Sequence, residues 1–187
     1  MKLFGTDGIR GKFNEPPINH VQLVKIGYAF AKSLFDDQEG KIYISNDGRE
    51  SSSDIESALS DGIIHQGSEV ISIGLLPTPA LSICLHAQRL ETEVCAGIQI
   101  TASHNPYHDN GVKFFDKNGF KIDSVLEQII ENNYFNQTEE IHVKDKKNSK
   151  SDSIEVFNKR YINYINDYFL LKTKGVEGPK RKFNILV

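Results

Sequence analysis

The sequence predicts an α/β fold: a three-layer α/β/α domain on a mixed, mostly parallel sheet, followed by the start of a second domain. Three observations predict it. Short apolar runs alternate with amphipathic segments of helical period, the pattern left by helices laid on both faces of a sheet. The run Val94–Ile100 is apolar without alternation, as in a strand covered on both faces. The next run, Val112–Phe115, follows after a connection too short for a helical crossover. That pair should be antiparallel, and the sheet therefore mixed.

Taken in order, the chain opens on an irregular glycine-rich segment that ends at Pro16-Pro17. Asn19 then reads as an N-cap with Gln22 as its capping-box partner, and Val21, Val24, Tyr28, Ala31 and Phe35 recur at helical spacing. Lys41–Ser45 is a short strand leading into Asn46-Asp-Gly-Arg49. A second helix is expected to start with Ser53 and Glu56 as a capping box, to bury Ile55, Leu59 and Ile63, and to stop at Gly67. Glu69–Ile73 is the next strand, and Thr78-Pro79 pairs an N-cap with proline at the first helical position of a helix reaching about Arg89. After Val112–Phe115, Asn118-Gly119 marks a tight turn. Asp123 or Ser124 begins a helix with Leu126, Ile129 and Ile130 on one face.

A domain boundary is expected near Lys144–Ser151, where Lys144-Asp-Lys-Lys-Asn-Ser-Lys150 reads as a solvated linker. The first domain then covers residues 1–148. Residues 149–187 hold the linker, a helix and the first strand of an incomplete second domain. Asp152 can cap that helix, whose Phe157, Tyr161, Tyr164, Ile165 and Tyr168 form a packing stripe. Phe183–Val187 looks like an opening strand without a partner, so the chain is expected to be a piece of a longer protein.

Composition narrows the function. Of 187 residues, 39% are hydrophobic and 25% charged, enough apolar material for a core and against disorder. A formal charge of -3 gives no electrostatic reason to expect nucleic acid. Cys84 and Cys95 lie in apolar stretches without metal-ligand spacing, as reduced buried thiols do in a cytosolic protein. The N-terminus lacks a signal-peptide core and no run is long enough to span a membrane, so a soluble cytoplasmic protein is expected.

The strongest local signal is Thr101-Ala-Ser-His-Asn-Pro106, set between two strands. It places Ser103 at the end of a buried strand, where α/β sheets bind ligands, and Pro106 biases Asn105 toward an extended or turn conformation. Adjacent Ser103 and His104 do not make a hydrolase pair, because no nucleophile-elbow glycines flank the serine. On the residues alone, a polar loop remains the ordinary reading.

The hexapeptide is similar to the phosphoserine signature of the α-D-phosphohexomutase superfamily, and it does not stand alone. Phe4-Gly-Thr-Asp-Gly-Ile-Arg-Gly11 resembles that family's opening loop. Asn46-Asp-Gly-Arg49 resembles its Asp-x-Arg loop, with Asp47 and Arg49 in place. Leu76-Pro-Thr-Pro79 and Asp109-Asn-Gly-Val-Lys-Phe-Phe115 match further segments in the same order. The first and last of these favour the branch that works on phosphoglucosamine, although that branch often has serine where this chain has Thr101.

The resemblance implies a second domain similar to the first and a reversible isomerisation of glucosamine 6-phosphate and glucosamine 1-phosphate, feeding UDP-N-acetylglucosamine and cell-wall synthesis. Ser103, carried as phosphoserine, would exchange its phosphoryl group through a sugar bisphosphate, with a sugar 1,6-bisphosphate as activator. Phosphoserine is close to dianionic at neutral pH, so transfer needs cationic help. The resemblance implies Mg²⁺ on the Ser103 phosphoryl oxygen, Lys113 near the phosphoryl group, Arg10 and His104 as further catalytic residues, His104 and Asn105 orienting loop or substrate, and Asn105 and Thr101 binding substrate. His108 lies near Ser103 without an assigned role, and His20, His65, His86 and His142 match no motif. The carboxylate loop for the metal and the later sugar-binding loops are not in this chain, so residues 1–187 alone are expected to be inactive. A phosphomannomutase or phosphoglucomutase, or a non-catalytic sugar-phosphate-binding module, are the alternatives. A homodimer is compatible with the resemblance.

Overall fold

The computed structural model describes residues 2–36, 38–88, 95–138, 141 and 152–173. The elements run β1 (Ile9–Lys12), α1 (His20–Phe35), β2 (Lys41–Asn46), α2 (Ser52–Gln66), β3 (Glu69–Leu75), α3 (Thr78–Gln88), β4 (Cys95–Ile100), β5 (Asp109–Phe115), α4 (Ser124–Asn136) and α5 (Asp152–Thr173). One sheet holds the strands in the order β1-β5-β4-β2-β3. β2 pairs parallel with both β3 and β4, while β5 pairs antiparallel with β4 and β1. The mixed sheet expected from the short β4–β5 connection is present, and β1 is an antiparallel strand that the glycine-rich opening did not announce.

Alternation along the strands separates two helical layers. Ile42 and Ile44 of β2, Ala96, Ile98 and Ile100 of β4, and Phe114 of β5 join a core with α1, α2 and α4. Tyr43, Cys95 and Phe115 point the other way, into a smaller core with α3 and α5. β4 is buried at every position, which accounts for its unbroken apolar run. Each buried Ile, Leu or Phe contributes about 1.5–3 kcal/mol relative to exposure.

Asn19 caps α1 as expected, its side-chain oxygen accepting from the Gln22 N–H at 3.0 Å. The return half of the capping box is not made, because the Gln22 side-chain oxygen is buried without a partner. Val21 is 65% exposed; the buried face runs through Leu23, Ile26 and Phe30. α1 and α2 meet backbone to backbone. A Cβ on Gly27 would overlap the Leu59 carbonyl, and one on Gly62 would overlap the Val24 carbonyl.

α2 buries Ile55, Leu59 and Ile63 and ends at Gly67 in the left-handed region (φ +113°), both as expected. Its start differs. Ser51 is the N-cap without a side-chain capping bond, and Ser53 lies inside the first turn. Tertiary partners draw these groups away: the Ser51 hydroxyl donates to Asn110 Oδ1, and Glu56 Oε2 accepts from Asn46 Nδ2 at 3.5 Å. Asp123 caps α4 through the Leu126 N–H at 2.8 Å. Ile130 is buried there and Leu126 packs beside it, whereas Ile129 is exposed.

The aromatic stripe of α5 packs only at its beginning. Phe157 is buried against Tyr43 and Tyr161 is half-buried, but Tyr164, Ile165 and Tyr168 are exposed. Cys84 and Cys95 are buried and not joined in a disulfide, and burial pushes the Cys84 thiol up to about 11, which makes it unreactive. No helix among the described residues is long and apolar enough to cross a membrane. Arg89, Val94, His142, the Lys144–Ser151 boundary and the Phe183–Val187 strand lie outside the described residues.

Candidate active site

β2 and β4 lie side by side and end together, with Asn46 opposite Ile100. β2 is followed in sequence by β3 on one side and flanked by β4 on the other, so their carboxyl ends open the crevice where α/β sheets bind ligands. Two loops leave from it. Residues 47–50 follow β2 and residues 101–108 follow β4. The Asp47 N–H donates to the Ile100 carbonyl at 3.1 Å, which joins the loops at their roots.

Ser103 sits at φ +59°, a left-handed conformation that costs a residue with a Cβ about 1–2 kcal/mol. Hydrogen bonds hold it there. The Ser103 N–H donates to Thr101 Oγ1 at 2.9 Å, and the Thr101 hydroxyl donates to Asp47 Oδ2 at 2.8 Å. Asp47 Oδ2 also accepts from Arg49 Nε at 3.0 Å. The Arg49 Nη1 group donates to the carbonyls of Pro106 (2.6 Å) and Asp109 (2.9 Å). Its Nη2 group donates to those of Ser103 (3.1 Å) and Asn105 (3.1 Å). The Ser103 hydroxyl itself is exposed, with His104 Nδ1 3.3 Å away.

A second group of residues comes from the opening loop. Gly5 and Gly8 close a turn through a 2.8 Å hydrogen bond. Gly8 is at φ +91°, and a Cβ there would overlap the Val112 carbonyl, so the turn lies flat against β5. The β1–β5 register sets Ile9 opposite Val112 and Arg10 opposite Gly111. Asp7 Oδ2 then meets Lys113 Nζ at 2.6 Å and Arg10 Nη2 at 3.6 Å. The hydrogen bond from Lys113 holds the Asp7 carboxyl below its ordinary value of 3.8, with the charges of Lys113, Arg10 and Lys121 helping and burial opposing. Arg10 Nη1 reaches Asn105 Oδ1 at 3.4 Å, and Asn105 Nδ2 donates to Asp109 Oδ2 at 3.0 Å.

Ser103, His104, Asn105, Thr101, Arg10 and Lys113 therefore belong to one connected set, with Lys113 joined through Asp7. Ser103 and Asn105 line an open cleft of about 1040 Å³ together with Arg49, Tyr107 and His108. Thr101, expected to bind substrate, is buried, and its hydroxyl is engaged by Asp47 and the Ser103 N–H. Asp7, Asp47 and Arg49 were not among the expected site residues. Their signal was available: all three stand inside segments matched to the family's loops, and Asp47 and Arg49 directly follow a buried strand.

Among the described residues, no group of three or more His, Cys, Asp or Glu side chains is placed to hold a metal ion. Ser103 would give a cation one oxygen, which is not an Mg²⁺ site by itself. The described residues alone do not fit the ion.

A profile of the family described as phosphoglucomutase/phosphomannomutase, alpha/beta/alpha domain I, matches residues 1–141. The chain is a member of the phosphohexomutase superfamily. Phosphoglucosamine mutase of Nautilia profundicola is 40% identical over 169 residues, covering 90% of this chain and 37% of the relative. That of Marinomonas sp. is 41% identical over 168 residues, covering 90% and 36%. A solved structure from Thermus thermophilus, assigned as a phosphomannomutase, superposes with a TM-score of 0.60 at 31% identity, over 69% of this chain and 29% of that one. This phosphohexomutase chain thus spans about a third of the length of the curated relatives it matches.

Proposed function

We propose that the protein to which this chain belongs interconverts glucosamine 6-phosphate and glucosamine 1-phosphate through a phosphoserine at Ser103. One observation carries the proposal. Ser103 exposes its hydroxyl at the end of β4 on a backbone held in an unfavourable conformation, in a chain 40% identical to a phosphoglucosamine mutase over 90% of its length.

In the forward step a sugar hydroxyl oxygen attacks the phosphorus of phosphoserine. A new P–O bond forms as the bond to Ser103 Oγ breaks, the sugar hydroxyl loses its proton, and Ser103 regains one. The sugar bisphosphate turns over, and its other phosphoryl group returns to Ser103 by the reverse steps. In this reading Lys113 offsets charge on the transferring group and moves the proton, a role suited to its compact ammonium. His104, beside the Ser103 hydroxyl, orients the loop or the sugar. Arg10 and Asn105, already bonded to each other, receive the substrate. A sugar 1,6-bisphosphate would prime Ser103. Mg²⁺ would supply charge neutralisation at the phosphoserine, with its carboxylate ligands coming from beyond the described residues. The same reading puts the protein in the cytoplasm.

Intact-mass analysis of the full-length protein, with peptide mapping over Ser103, tests the proposal. Expected are one phosphate on Ser103, its removal by glucosamine 6-phosphate, and its loss in Ser103→Ala. A Ser103 that neither glucosamine nor glucose 1,6-bisphosphate phosphorylates overturns it. Competition between glucosamine, glucose and mannose phosphates on the same protein fixes the sugar.

A further inference from the structure

Arg49 lines the cleft that holds Ser103, and an arginine there invites the reading of a phosphate ligand. Its hydrogen bonds argue otherwise. A guanidinium has five N–H donors, and Arg49 directs Nε to Asp47, two Nη1 donors to Pro106 and Asp109, and two Nη2 donors to Ser103 and Asn105. All five donors have an acceptor within the protein. The side chain is 12% exposed, so little of it remains to meet solvent or substrate.

We infer that Arg49 is a positioning residue for phosphoryl transfer, one that fixes the backbone of the phosphorylated serine and does not bind the sugar phosphate. The inference rests on the proposed role of Ser103. The geometry gives the reason. Four backbone carbonyls of residues 103–109 converge on one cation, and such a convergence of dipoles is stable only with positive charge at its centre. The network closes on the peptide of Ser103 from both sides. Its carbonyl accepts from Arg49, and its N–H reaches Asp47 through the Thr101 hydroxyl. Asp47 in turn accepts from Arg49 Nε. This ring offsets the φ of +59° and leaves only the Ser103 side chain free to react. Lysine carries the same charge on a single ammonium and cannot span four carbonyls and a carboxylate.

The test compares wild type, Arg49→Lys and Thr101→Val in the full-length protein, with glucosamine 6-phosphate as substrate and hydrogen exchange followed in peptides covering residues 101–110. For Arg49→Lys, kcat should fall on the order of 10²-fold, the scale of an ångström-sized misplacement, with KM within about threefold. Exchange of the 101–110 amides should quicken while other peptides are unchanged. Thr101→Val should move kcat and exchange in the same direction by about tenfold. If Arg49→Lys does not fold, Thr101→Val decides alone. A rise in KM of tenfold or more at unchanged kcat would make Arg49 a substrate ligand and overturn the inference. Unchanged exchange in both variants would overturn it as well. Wild-type protein without mutase turnover would remove the proposed function, while the exchange comparison would still report whether Arg49 holds the loop.

Discussion

Asp47–Arg49 and Asp7–Lys113 are both carboxylate–cation pairs in the same site, and they differ in how much of the cation is left over. Arg49 has all five donors placed within the protein and its side chain is 12% exposed. Lys113, 15% exposed, has Asp7 as its contact among the described residues, so two of its three N–H donors remain. Asp47 is recessed and also takes the Thr101 hydroxyl, whereas Asp7 is 44% exposed. The first pair is architecture. The second holds a cation in place while leaving it able to act on something else. Residues of one charge type in one connected set of side chains can thus carry different parts of the work, separated by donor accounting and not by charge.

The comparison yields an ordered set of outcomes. The largest concerns the spare capacity of Lys113. In the full-length protein, Lys113→Met should slow phosphoryl transfer from Ser103 by about 10²–10⁴-fold, the scale of a lost acid–base or charge-stabilising group. Its melting temperature should stay near wild type, because the Asp7 carboxylate left behind is solvated. An equal loss of stability and rate would erase the distinction between the pairs. Next, Asp47→Ala should destabilise the chain by about 2–3 kcal/mol in urea denaturation, since it strips the counter-charge from a recessed guanidinium.

Asp7→Asn should cost about 1 kcal/mol, less than Asp47→Ala, because Asp7 is 44% exposed and the asparagine amide still offers Lys113 an acceptor oxygen. Its pH dependence carries a definite sign. The folded carboxyl lies below its ordinary value of 3.8, so the stabilisation is present above that value and is lost as pH falls through the folded one. The gap between wild type and Asp7→Asn should be level above about pH 5 and shrink on acidification. A gap that grew in acid would contradict the Lys113–Asp7 contact. The smallest effect is expected at Arg10, whose 3.6 Å pair with Asp7 is exposed on both sides. Arg10→Gln should change stability by less than about 0.5 kcal/mol, measured in the same denaturation series.

Much of the frame was legible because local chemistry determined it. Asn19, Asp123 and Gly67 act on neighbours a few residues away, and the unbroken run of β4 reports its burial on both faces. β1 was not legible. Its four residues are a strand because β5, a hundred residues on, supplies the partner, and Gly8 before it and Gly11 inside it weaken any local signal. The start of α2 was misread for a related reason, since the N-cap falls at Ser51, whose hydroxyl goes to Asn110 of β5, and Glu56 is taken by Asn46 of β2. In the site, Ser103, His104 and Asn105 announced themselves as a motif. The grip of Arg49 did not, because most of its acceptors are backbone carbonyls, which every residue has and no sequence displays. The Asp7–Lys113 pair was hidden by a separation that only the β1–β5 register closes.

Glu131 of α4 accepts the N–H groups of Leu3 and Phe4 at 2.7 and 2.9 Å, and Phe4 is buried against Phe114. The segment from Phe4 to Ile9 is therefore a short hoop anchored at one end by a helix and at the other by a strand. A hoop of fixed circumference accepts changes of side chain more readily than changes of length. One glycine inserted between Thr6 and Asp7 would keep every residue of the site and still carry the carboxylate off Lys113, so a survey of insertions and deletions should find this segment far less tolerant than the exposed distal turns of α5.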